Sequence, residues 1–166
     1  TGLSGGTGTV AFLVGVGRLI DDKFVVKQFL MNDYHQEESL LNEFADSLMG
    51  AKAIVTYNGK SFDAPLLKTR SILNRIELEL DRFIHLDLLH ACRRVFARRL
   101  ERCKLTDIEE HILDIKRVDD ISGAEIPDIF FNYLKCKDTS LLDKVIEHNL
   151  YDILSLAQIA GILSNY

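Results

Sequence analysis

The sequence has no tryptophan, only two prolines, and three cysteines that stand singly at Cys92, Cys103 and Cys136. So little proline excludes collagen-like and proline-rich linker chains. An odd number of widely spaced cysteines, without CxxC or Cys/His ligand spacing, excludes a disulfide framework and a structural zinc site. Free thiols fit a reducing compartment, so a cytoplasmic location is expected. There is no low-complexity tract and no run of about 18 apolar residues that could cross a bilayer, so no membrane partner is expected. Basic residues are in the minority, 20 against 25 acidic ones, for a net charge of -5 and a pI near 5.5. The surface as a whole therefore repels phosphate, which excludes a non-specific polyanion coat.

What is present is the composition of one globular domain over residues 1–166, with 47% hydrophobic and 27% charged residues. A domain of that size buries about 70% of the surface its unfolded chain exposes, so it needs no covalent staple. Residues 9–17 (TVAFLVGVG) and 23–30 (KFVVKQFL) are apolar and rich in β-branched side chains on either side of Asp21-Asp22, which predicts a hairpin. Leu40, Leu41, Phe44, Ala45 and Leu48 recur at helical spacing and stop at Gly50. A short strand is expected at 53–57 (AIVTY), a helix at 61–73, a strand at 83–86, helical segments through most of 88–113 and a long helix at 141–163. A hairpin succeeded by alternating strand and helix predicts an α/β fold, a mixed sheet flanked by helices.

Four segments could carry chemistry. The glycine-rich opening, Gly2 to Gly8, lacks the Lys-Ser/Thr ending of a phosphate loop and precedes a strand, so it is read as a connection. Asn58-Gly-Lys-Ser-Phe-Asp63 places an amide, a tight turn and a carboxylate directly after a buried strand, where α/β folds assemble sites. Asp63 has two readings here: a functional carboxylate, or a cap for the helix that begins beside Pro65. His148 and Asp152 lie four apart on one helix face, with Asp152 beside the apolar stripe of Val145, Leu156 and Ile159, so this acid requires a partner. A His-Asp pair that ties the helix to the core would satisfy it equally. Residues 93–104 (RRVFARRLERCK) carry a local charge of +5, and Arg94, Arg98 and Arg102 are expected to share a helix face able to meet a phosphate backbone, or simply water.

In this order the segments resemble the ribonuclease-H-like 3′-to-5′ exonucleases with four catalytic acids (the DEDD superfamily), and particularly their YprB-like branch. Residues 1–17 look like the continuation of the family's first motif, Asp-x-Glu-Thr-Thr-Gly-Leu; Asn58 to Asp63 matches the second and His148 to Asp152 the third. Phe83-Ile-His-Leu-Asp87-Leu-Leu-His90, Gly123-Ala-Glu-Ile-Pro127 and Phe131-Asn-Tyr-Leu134 are similar to stretches of that branch. The resemblance implies a ribonuclease-H-like mixed sheet and hydrolysis at DNA or RNA 3′ ends with two Mg2+ or Mn2+ ions. It makes Asp63 and Asp152 metal ligands, His148 the general base, and Leu3 and Asn58 nucleic-acid contacts, with Leu3 packing near the terminal base. Hard divalent ions take oxygen ligands, which suits carboxylates at such a site.

The chain begins at the second Thr of the first motif. On this resemblance the family's first Asp and Glu, with the central strand that bears them, precede Thr1. The 166 residues alone are then expected to be an N-terminally truncated domain with little nuclease activity, and the open sheet edges invite homo-oligomer formation. The alternative is a non-catalytic nucleic-acid-binding or scaffold module of the same fold, using Arg94, Arg98 and Arg102.

Overall fold

A computed structural model describes residues 9–166. The glycine-rich opening and Leu3 lie outside the described residues. Strands β1 (Leu13–Ile20) and β2 (Lys23–Leu30) form an antiparallel hairpin in the register Leu13 with Leu30 to Ile20 with Lys23. The turn residues Asp21 and Asp22 have φ of 47° and 61°, both left-handed, as a two-residue hairpin turn whose twist matches its strands requires. The first strand thus starts later than its composition predicts. Ala11 and Phe12 are buried ahead of the ladder, with the Met31 amide donating to the Phe12 carbonyl at 2.8 Å.

Helix α1 (Glu37–Ser47) buries Leu40, Leu41 and Phe44, and next comes a parallel pair, β3 (Ala53–Thr56) with β4 (Ile84–Asp87), joined through helix α2 (Asp63–Leu73). Among the described residues the predicted mixed sheet consists of these two two-stranded pieces, with no ladder between them. Helices α3 (Leu88–Phe96), α4 (Leu105–His111), α5 (Ile126–Cys136) and α6 (Leu142–Leu163) complete the mixed α/β fold. Phe12 stacks on Phe130 of α5 at 3.9 Å in the larger core, while Cys92, Phe96, Ile108 and Ile159 centre a second cluster between α3, α4 and α6.

Two features seat α6 on the hairpin. A Cβ at Gly15 would stand 2.2 Å from Ile153 Cδ1, and one at Gly17 would stand 2.7 Å from Ile153 Cγ2, so glycine lets the helix approach the strand backbone. Gln28 of β2 then donates through Nε2 to the Ile146 carbonyl at 2.8 Å and to Asn149 Oδ1 at 2.9 Å. These contacts set the height and rotation of the helix that carries His148 and Asp152.

The shared helix face expected for Arg94, Arg98 and Arg102 is corrected by the structure. α3 ends at Phe96, whose carbonyl accepts from both Arg99 and Leu100 in a tight turn. Arg98 and Arg102 would be like charges one turn apart in a continued helix, which opposes its extension. A separate helix begins at Leu105, where the Asp107 carboxylate accepts from the Lys104 amide at 3.0 Å.

Candidate active site

The turn after β3 is built around Asp87, the last residue of β4. Its buried carboxylate accepts from the Asn58 amide at 2.8 Å, the Lys60 amide at 3.1 Å and the Leu89 amide at 3.2 Å. One side chain thereby caps α3 and holds the Asn-Gly turn. Asn58 is left-handed at φ 61°, and a Cβ on Gly59 would come within 2.6 Å of Thr56 Cβ, so the chain folds back tightly here. Asp63 emerges from this turn as the first residue of α2, where no side chain caps the helix. It reaches solvent, yet the surrounding protein mass pushes its carboxyl above the ordinary range. Its own backbone amide opposes the shift, and the negative charges of Asp87 and Asp152 add to it. No cation pairs with the Asp63 carboxylate among the described residues.

On α6, His148 Nε2 stands 3.7 Å from Asp152 Oδ2, too far for a hydrogen bond. The partner of His148 is Asp120, which receives Nδ1 at 2.9 Å. Because a carboxylate can only accept, the bond to Asp120 is made with a proton on Nδ1, and Nε2 is the ring nitrogen that faces Asp152. Burial would raise the Asp120 carboxyl, but the hydrogen bond and charge of His148, with Arg117, hold it below its ordinary value. Arg117 donates to Asp152 Oδ1 at 2.7 Å and to Asp120 Oδ2 at 3.2 Å, and forks onto Glu109. Burial pushes the Asp152 carboxyl up, and the Arg117 bond and the His148 charge only partly counter that shift.

Against this geometry stand the comparisons with known proteins. The chain matches a family model described as RNase_H superfamily over residues 1–164. It belongs to the RNase H superfamily. It is also 40% identical over 157 residues to the uncharacterized protein YprB of Bacillus subtilis (strain 168), a match covering 94% of this chain and 38% of that protein. The chain therefore spans well under half the length of this relative. The mixed α/β architecture agrees with the RNase H superfamily assignment.

Within this superfamily fold, the charge of Asp152 adds to the rise of the Asp63 carboxyl, and His148 flanks Asp152. Asn58 contributes its backbone amide to the turn. Arg94, Arg98 and Arg102 are exposed on or after α3, and no described carboxylate lies within ion-pair distance of them. Among the described residues no three His, Cys, Asp or Glu side chains form a complete metal cage. The donor set nevertheless suits a hard cation: two carboxylates with raised proton affinity, of which Asp63 has no ion-pair partner among the described residues. Asp87, Glu109, Arg117 and Asp120 were not assigned roles from sequence. The only local signal for three of them is the clustering of charge in Glu109-Glu110 and in Lys116-Arg117-Val118-Asp119-Asp120, which reads equally as solvated surface.

Proposed function

We propose that the protein is a metal-dependent 3′-to-5′ exonuclease acting on DNA or RNA. One observation carries the reading: Asp63 at the start of α2 feels the charge of Asp152 on α6, and Asp152 stands beside a histidine whose Nδ1 is already held by Asp120. Asp63 and Asp152 would hold Mg2+ or Mn2+. A divalent ion bound there supplies charge stabilisation to the oxygens of the phosphodiester undergoing in-line displacement. As general base, His148 takes a proton from the attacking water at Nε2, and Asp120, bonded to Nδ1, stabilises the imidazolium that forms. The water oxygen bonds to phosphorus as the bond to the leaving 3′ oxygen breaks, and that oxygen takes up a proton from solvent.

The reading is supported by superfamily membership, and the exposed basic segment 93–104 would add contacts to phosphate. Its test is degradation of labelled single-stranded DNA and RNA by the gene-encoded protein with Mn2+, against Asp63→Ala and Asp152→Ala. Metal-dependent shortening from the 3′ end, lost in both variants, is the expected result. Equal cutting by both variants would sink the reading. Binding without cutting by the unaltered protein would transfer the case to a non-catalytic nucleic-acid-binding module, for which the exposed arginines of 93–104 are the supporting observation.

A further inference from the structure

We propose that Arg117 is a positioning residue that decides which oxygen of Asp152 is offered to a divalent cation, an inference that rests on the metal reading above. Arg117 lies between α4 and α5, far in sequence from Asp63 and Asp152. Its side chain is only 7% exposed, and its strongest anchor is Glu109 of α4, 2% exposed. Nε donates to Glu109 Oε2 at 2.8 Å while Nη2 donates to Oε1, the two-pronged geometry only a guanidinium provides. Nη2 also donates to Asp152 Oδ1 at 2.7 Å and Nη1 to Asp120 Oδ2 at 3.2 Å, and the ring of Tyr151 lies 5.7 Å from the guanidinium carbon.

This arrangement fixes the guanidinium in place. Swinging Arg117 away from Asp152 would strand the buried Glu109 carboxylate without its partner, and breaking a buried pair in that way is strongly destabilising. Arg117 is therefore a stationary post and not a cation that leaves when a metal arrives. With Oδ1 held by the post, Oδ2 is the oxygen of Asp152 that faces His148 Nε2 across 3.7 Å, and it is the oxygen left to coordinate. The same guanidinium bonds Asp120, so one residue indexes both the carboxylate and the imidazole of α6.

A rival role is distinguishable. If Arg117 acted only as a positive charge, it would repel a divalent ion, and any change that keeps the local charge would leave metal affinity as it was. Two variants preserve that charge and destroy the fork: Arg117→Lys, and the double variant Glu109→Gln with Arg117→Met, which removes one charge of each sign. Mn2+ binding to the gene-encoded protein is read by calorimetry and by the electron paramagnetic resonance signal of free Mn2+, with circular dichroism reporting the fold. The expected result is a native spectrum with Mn2+ bound about 10- to 100-fold more weakly in both variants, the usual effect of losing a group that orients a ligand. Native affinity in both, with Asp152→Ala losing binding, would overturn this inference and leave the metal reading intact. Unchanged binding in Asp152→Ala, or none in the unaltered protein, would overturn the metal reading and this inference with it. The double variant carries the test if Arg117→Lys is unstable, since a buried ion pair replaced by matched neutral side chains is well tolerated. Failure of both to fold also counts against the proposal, since Arg117 would then hold the fold and not the ligand.

Discussion

Replacing Gly15 with alanine tests how α6 is seated. The added Cβ would lie 2.2 Å from Ile153 Cδ1 and 2.4 Å from Asn149 Oδ1, both well inside van der Waals contact. Ile153 is only 7% exposed and Asn149 already accepts from Gln28, so neither neighbour yields freely. Overpacking of this kind costs about 1–3 kcal/mol, and displacing Asn149 from Gln28 adds about 1 kcal/mol. Urea unfolding monitored by circular dichroism should therefore show Gly15→Ala destabilised by roughly 2–4 kcal/mol. Ile153→Val removes the very atom that clashes, so the double variant should recover part of the loss, with a coupling of about 0.5–3 kcal/mol. Strictly additive costs, or a Gly15→Ala loss under about 0.5 kcal/mol, would refute the claim that glycine is needed for this approach.

The carboxyls of Asp63 and Asp152 are raised above 3.8, so between the ordinary and raised values the native state holds more protons than the unfolded chain. Stability of the metal-free protein should then fall as pH rises through that window, and Asp63→Asn or Asp152→Asn should flatten the fall; a slope unchanged in both variants contradicts the assignment. Asp120, held low, contributes the opposite slope below 3.8. Glu37→Ala should destabilise by about 3–5 kcal/mol in thermal unfolding, because it removes the buried carboxylate onto which Arg70, 14% exposed, and Asn74 donate, while Mn2+ affinity stays native. Charge reversal at Arg94, Arg98 and Arg102 should weaken single-stranded DNA binding and lower the slope of log affinity against log salt by up to about 2; an unchanged slope would remove that segment from the interface.

Elements whose cause is local were legible in the sequence. The hairpin arises from two β-branched runs around Asp21-Asp22, and the long last helix from the stripe of Val145, Leu156 and Ile159, of which Val145 and Ile159 are buried and Leu156 is half-buried. The end of α3 was not legible, since Cys92, Phe96 and Leu100 keep a helical spacing of burial while the backbone turns after Phe96. Long-range polar partners were least accessible. His148 and Asp152 share a helix face as their spacing requires, but the bond each makes goes elsewhere, to Asp120 and to Arg117 across 28 and 35 residues of chain. Periodicity reports which face a residue occupies, and the partner that meets it there is set by how loops pack. The double duty of Asp87, capping α3 while holding the Asn58 turn, depends in the same way on β3 and β4 lying side by side.

The proposed chemistry stands or falls on whether Asp63 and Asp152 together hold a divalent cation. The anomalous diffraction signal of Mn2+, in crystals of the gene-encoded protein grown with that ion, reads this without reference to activity. A peak is expected within coordination distance of the Asp63 carboxylate and of Asp152 Oδ2, with Arg117 still bonded to Oδ1. Mn2+ absent from this pair, with ions only in the acidic cleft between Asp119 and Asp138, would contradict it.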